Sequence, residues 1–211
     1  MKRVLSLLLC LASLITLASC KTKSAGIDGN SDAVFSLATQ IDKNYKNPFI
    51  GIGCKLPDDM TPYTEKQLRE MNKVFTDLSE EEYTREMMRS NSCVDYYAKA
   101  DKGQKIINIK LENAAKVFSV IPDEISYLKS RTEEYKQSLK GIDYEDINSE
   151  LIKIDFLGKS RDASVISAKM GELKIYEIII IIRCNNYMAN ITLLGNNKEN
   201  AEGLLKTFYI L

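Results

Sequence analysis

The sequence predicts an α+β protein, an antiparallel β-sheet covered by helices on both faces. Three observations carry that expectation. The five consecutive isoleucines Ile178–Ile182 are β-branched and stiff at χ1, which favours strand. Seven segments in all read as strands. Capped helical stripes lie before, between and after them, without the regular βαβ alternation of a parallel sheet.

The isoleucine run belongs to a hairpin from Leu173 to Gly195. Asn185-Asn186 supplies two residues that tolerate positive φ, as a type I′ turn requires. Closing the hairpin there pairs Cys184 with Tyr187, Ile182 with Ala189, Ile180 with Ile191 and Ile178 with Leu193. All eight side chains are apolar and share one face. The opposite face sets Arg183, Ile181, Ile179 and Glu177 against Met188, Asn190, Thr192 and Leu194, a mixed but partly buried surface. A slip of one residue would scramble this division, so the register is well specified.

The other elements follow in order. Val34, Leu37, Ala38, Ile41 and Tyr45 fall at helical spacing, with Ser31 as N-cap. Pro48 to Pro57 reads as the first strand, with Ile50, Ile52, Cys54 and Leu56 on one face. Thr64-Glu65-Lys66-Gln67 is a capping box before the stripe Leu68, Met71 and Phe75. Ser79-Glu80-Glu81-Glu82 repeats the device before Tyr83 and Met87. Val94–Ala100 and Gln104–Glu112 form a strand pair around Asp101-Lys102-Gly103. A long helix follows, with Pro122 in its first turn, Ile121, Ile125, Leu128, Thr132, Tyr135 and Leu139 as its stripe, and Gly141 at its end. Strands at Glu150–Leu157 and Ser164–Met170 lead into the hairpin. Asn197 caps a last helix in which Ala201, Leu204, Leu205 and Phe208 are apolar.

The N-terminus sets the expected address. Lys2-Arg3, the apolar run Val4–Ala18 and Leu17-Ala18-Ser19-Cys20 match a lipoprotein signal with cleavage between Ser19 and Cys20 and lipidation of the Cys20 thiol. Residues 1–19 are then the signal peptide. Residues 20–47 are the lipidated N-terminus, a leash and a short helix, and 48–211 is the globular domain. The expected place is a bacterial cell membrane on its extracytoplasmic side, or the outer membrane where the cell has two. Residues 1–19 hold two bases and no acids, so the remainder carries 27 bases against 29 acids, a net charge of −2. That balance gives no footprint for nucleic acid and no polybasic lipid patch.

Histidine is absent, which excludes histidine triads, histidine metal sites and histidine pH switches. Cys54, Cys93 and Cys184 remain after Cys10 leaves with the signal. Export permits disulfides, and Cys54 and Cys184 both face inward, so a bridge between them and two free core thiols stay open as alternatives. Cys93 is expected to be the most reactive thiol. Without CxxC or histidine, no catalytic cysteine is expected. The carboxylates of Asp58-Asp59 and of Asp143, Glu145 and Asp146 around Tyr144 read as solvated turns. No catalytic residue, cofactor or metal is expected.

The order of motifs resembles the PsbP-like fold family, whose members include an extrinsic photosystem II subunit, a Ran-binding nuclear transport factor and many bacterial lipoproteins. The resemblance covers about residues 48–211. It rests on the strand ending in Leu56-Pro57-Asp58, the strand end Tyr97–Asp101, the long helix before Leu151–Phe156, and the close. That close is Tyr187–Gly195 followed by Ala201-Glu202 and Lys206-Thr207-Phe208. The resemblance implies an α/β/α sandwich and a binding or adaptor role without catalysis. The function expected is therefore that of a membrane-tethered, non-enzymatic binding domain with a protein partner in the envelope. A carrier of a small apolar ligand and a carboxylate-dependent envelope hydrolase are the alternatives. Tyr63, Arg85, Met88 and Arg89 form the expected partner surface, since aromatic, Met and Arg side chains are enriched at interface cores.

Overall fold

The computed structural model describes residues 34–74, 77–100 and 103–211. The signal peptide, Ser19, Cys20 and the cap at Ser31 lie outside the described residues, as does Phe75. The chain begins with three short strands, β1 (Thr39–Ile41), β2 (Asn44–Asn47) and β3 (Ile52–Lys55). Next come β4 (Met60–Pro62) and helices α1 (Glu65–Met71) and α2 (Glu80–Arg89). Strands β5 (Ser92–Ala100) and β6 (Lys105–Asn113) lead to a single turn, α3 (Ala114–Val117), and to the long helix α4 (Glu124–Lys140). Four long strands follow: β7 (Glu145–Phe156), β8 (Lys159–Met170), β9 (Leu173–Cys184) and β10 (Tyr187–Gly195). Helix α5 (Lys198–Leu205) and strand β11 (Phe208–Ile210) close the fold.

The class is α+β, and both sheets are antiparallel. The large one has the order β4-β5-β6-β10-β9-β8-β7, and the small one β1-β2-β3-β11. The β9–β10 hairpin has the register read from the sequence, with Ile182 opposite Ala189, Ile180 opposite Ile191 and Ile178 opposite Leu193. Asn185 takes the positive φ of 53° that the turn demands. On one side of the large sheet, Ile178, Ile180, Ile191 and Leu193 share a core with Tyr45, Cys54 and Phe208 of the small sheet and with Ala201 and Leu204 of α5. Full burial of each such isoleucine contributes ~1.5–3 kcal/mol. On the other side, Ile179, Ile181 and Met188 pack with Tyr127, Leu128 and Leu139 of α4. Val94, Tyr97 and Ile106 meet Leu68 and Met71 of α1.

Both capping boxes form: the Thr64 side chain accepts from the Gln67 N–H, and that of Ser79 from the Glu82 N–H. The long helix is capped by Asp123, which accepts from the Ser126 N–H at 2.7 Å, so Pro122 stands just outside the first turn. Gly141 ends it in a right-handed conformation, not the left-handed one that favours glycine. The buried stripe of α4 includes Tyr127, while Ile125 is turned outward.

Three expectations are corrected. The segment expected as a helix up to Tyr45 instead forms the β1–β2 hairpin, turned by Asp42 at φ 53°. Pairing of Tyr45 with Cys54 on β3 buries Tyr45 completely, and that tertiary gain outweighs a weak helical period. The globular unit therefore takes in residues earlier than Pro48. Phe208, expected on the last helix, lies on β11 opposite Cys54. Its neighbour Tyr209 crosses Gly53 so closely that a Cβ there would overlap its ring. The strand around Cys54 accordingly belongs to a separate small sheet rather than to the central one.

Candidate functional site

Three carboxylates are buried in the described residues. Glu112 is paired with Arg131 of α4; the other two, Asp95 and Glu177, lie on opposite sides of the large sheet, and their surroundings differ. Asp95 occupies a bulge in β5, where the register with β6 shifts between Val94 and Tyr96. The extra residue aims its carboxylate at the N-terminal segment. Its Oδ1 accepts from the Ala38 N–H at 2.8 Å, and its Oδ2 from the Tyr45 hydroxyl at 2.8 Å and Asn47 Nδ2 at 2.9 Å. Asn47 in turn accepts the Phe49 N–H at 2.8 Å. Burial pushes the Asp95 carboxyl up, and these three donors oppose the rise. The arrangement locks Ala38, Tyr45 and Asn47 onto the large sheet.

Glu177 on β9 has no such provision. In the large sheet its cross-strand neighbours are Leu194 on β10 and Ile166 on β8, and the row continues to Ile106 on β6. Ile175 and Ile179 flank it along its own strand on the same face. No polar partner therefore lies within the sheet. Help comes only from the helix side, where Tyr135 of α4 and Tyr144 in the turn after α4 face it. Glu177 is only 1% exposed, and its Oε2 has no hydrogen-bond partner. Burial pushes its carboxyl up to about 8, against the opposing pull of the Tyr135 hydroxyl. The hydroxyl of Tyr144 is likewise buried and without a partner, and burial, then the Glu177 carboxylate, pushes that phenol up to about 12.

Beside this pair the surface opens into a cleft of about 300 Å³. Its apolar wall is Ile106, Leu173, Ile175, Leu194 and the Tyr144 residue. Gln104, Glu172, Lys174 and Asn196 stand at its polar rim. The topology makes it: the β5–β6 turn, the β8–β9 turn and the end of β10 come together at one end of the sheet, just past the last turn of α4. Tyr144 is held between Asp143 and Asp146, both at positive φ (64° and 50°), before the irregular start of β7. The volume sits at the lower end of the range for small-molecule sites, and an apolar wall with a few polar groups is their usual construction.

The residues singled out from the sequence fall elsewhere. Arg85 and Arg89 are exposed on α2 and paired with Glu81 at 2.8 Å and Glu86 at 3.0 Å, and Met88 between them is 42% exposed. Tyr63 is not with them, because it packs edge-on against Tyr97 with ring centroids 4.4 Å apart. Tyr83 and Met87 are buried and hold α2 down, helped by Arg69 stacked 4.5 Å over the Tyr83 ring. The Cys54–Cys184 bridge is not formed; Cys54, Cys93 and Cys184 are all free thiols. Cys93 is only 2% exposed and Cys184 is the most open of the three, which reverses the expected order of reactivity. Cys93 lies at the start of β5 within the core that also holds Met87, whereas Cys184 sits at the turn end of the hairpin.

Asp59 pairs with Lys105 at 2.7 Å, Asp58 with Lys43 at 3.9 Å and Asp146 with Lys169 at 2.6 Å. Among the described residues no group of three or more cysteine, aspartate or glutamate side chains could hold a metal ion. No helix among them is long and apolar enough to cross a membrane. Sequence reading placed Glu177 on the mixed face of the hairpin but gave it no role, and saw Tyr144 only as part of an acidic loop. A lone glutamate in a strand of isoleucines was the signal available. No family model matches this chain, and no curated protein matches it.

Proposed function

We propose that this chain is a lipid-anchored extracytoplasmic protein whose domain binds a small molecule without transforming it, on a PsbP-like α/β/α framework. The observation that carries the reading is the cleft of about 300 Å³ with its apolar wall and polar rim. A free cavity in the unliganded fold favours a carrier or sensor over a purely structural adaptor. The framework is supported by α4 and α1 against one side of the large sheet and by α5 with the small sheet against the other. The tether is supported by Leu17-Ala18-Ser19-Cys20, with diacylation of the Cys20 thiol. A hydrolase is the weaker reading, because Asp58, Asp59 and Asp146 are engaged by lysines and burial of Glu177 is offset only by the Tyr135 hydroxyl.

The test is extraction of small molecules from protein purified out of membranes, followed by mass spectrometry. A bound compound should be recovered from the wild type and lost from Leu194→Trp, which fills the cleft. No compound in either, together with no saturable binding of any apolar probe, would overturn the reading. The tether is checked in the same preparation: Cys20→Ala should abolish acylation and leave precursor or soluble protein, and an unmodified Cys20 thiol in the wild type would remove it. The exposed Arg85, Met88 and Arg89 surface remains the proposed contact for an envelope protein partner. A Met88→Ser, Arg89→Ser double variant should reduce partner recovery in a pulldown from solubilised membranes while shifting stability by less than about 0.5 kcal/mol.

A further inference from the structure

We infer that the cleft beside Tyr144 takes a small, neutral, mainly apolar molecule carrying one hydrogen-bond-accepting oxygen, which meets the unpartnered Tyr144 hydroxyl near the Glu177 carboxyl. This rests on the binding reading above and adds the class of ligand. Size follows from the volume, which equals that of about ten waters at ~30 Å³ each. Apolar character follows from the wall, where Ile106, Leu173, Ile175 and Leu194 offer no polar side-chain atom.

The polar end follows from the two orphaned groups. Tyr144 lines the cleft, and its hydroxyl is buried with no partner. Glu177 Oε2 is unpartnered too, and Leu194, on the cleft wall, is its residue's direct cross-strand neighbour. A buried polar atom without a partner costs about 1–3 kcal/mol, and one on a cleft-lining residue can be satisfied by what enters the cleft. A neutral carboxyl and a phenol both present an O–H to donate, and an acceptor oxygen satisfies either. A neutral ligand follows from the rim, where one acid, Glu172, and one base, Lys174, leave no net charge to attract an ion. The ligand's oxygen gains access by a tilt of the Tyr144 ring. That residue is placed for such a tilt, because it belongs to a turn between two left-handed aspartates rather than to a helix or strand ladder.

The experiment titrates the full chain carrying Cys20→Ala with 2-octanone, n-propylbenzene and octanoate at neutral pH, by calorimetry and ligand-observed NMR. The ketone should bind saturably and about five- to tenfold more tightly than the hydrocarbon, the range one net hydrogen bond supplies. Octanoate should bind more weakly than the ketone. Leu194→Trp should abolish binding of all three. Tyr144→Phe, which keeps the ring, should erase most of the preference for ketone over hydrocarbon, and Glu177→Gln, which keeps a donor, should preserve it. Equal binding of ketone and hydrocarbon, or a ketone preference untouched by Tyr144→Phe, overturns the ligand class while leaving a binding cleft. Tighter binding of octanoate than of the ketone overturns it too. Absence of saturable binding by every probe overturns the binding reading itself.

Discussion

Asp95 and Glu177 lie buried on opposite sides of the large sheet, and the fold treats them in opposite ways. Asp95, toward the small sheet, has both oxygens occupied by an amide N–H, a phenol and a side-chain amide from residues 38–47. Glu177, toward α4, stands in an apolar row with one oxygen unpartnered and a phenol beside it unpartnered as well. A satisfied buried charge fixes a fold, whereas an unsatisfied one is a standing cost that ordinary packing would have removed. Asp95 is therefore architecture, and the ground around Glu177 is what the proposed ligand would use.

The sharpest way to break this contrast is Asp95→Ala. It strands Tyr45, Asn47 and the Ala38 N–H together, so the expected loss is ~3–5 kcal/mol in urea unfolding, large enough to release the β1–β2 hairpin. Asp95→Asn should cost less, because an amide oxygen still accepts. A loss below about 1 kcal/mol for the alanine variant would show that Asp95 does not hold the N-terminal segment.

Glu177→Gln should act in the other direction and depend on pH. The folded carboxyl titrates near 8 against an ordinary 4.5, so the folded state holds the proton longer than the unfolded chain does. Stability from this group is complete below the ordinary value, falls as pH rises through the interval, and levels off above about 8. At roughly 1.4 kcal/mol per unit, the wild type should lose several kcal/mol across that window through Glu177 alone. The glutamine variant should lack that slope, matching the wild type most closely near pH 5 and exceeding it most near pH 8. Parallel stability curves for the two proteins would remove Glu177 from the buried, protonated state.

The legibility of the sequence divides along the same line. The hairpin from Leu173 to Gly195 was readable to the residue, because an unbroken β-branched run beside Asn185-Asn186 admits one register. The capping boxes at Thr64 and Ser79 were equally readable, since a cap is a local pattern closed within four residues. The small sheet was not. Its strands have three or four residues each, and β3 finds β11 across some 150 positions through contacts such as Phe208 opposite Cys54. No local pattern announces a pairing of that length. The cleft was hidden for the same reason, because its wall is drawn from three chain ends that meet only after the sheet has formed. Glu177 was visible as an oddity, but whether it found partners, as Asp95 did at its bulge, depended on residues far away in sequence.

The smallest expected effect gives the finest comparison, between two tyrosines changed in the same way. Tyr45→Phe removes the hydroxyl that donates to Asp95 at 2.8 Å, and it leaves a buried carboxylate oxygen with one donor fewer. The expected cost is about 1–2 kcal/mol, since the acceptor left behind is charged and desolvated. Tyr144→Phe removes a buried hydroxyl that has no partner, so no bond is lost and a desolvation penalty disappears with the oxygen. Its effect on the unliganded protein should be toward greater stability, by about 1 kcal/mol. Thermal melts of the two variants beside the wild type, at one pH near neutrality, read the difference directly. A Tyr144→Phe loss as large as that of Tyr45→Phe would mean that the Tyr144 hydroxyl is engaged within the fold, as the Tyr45 hydroxyl is.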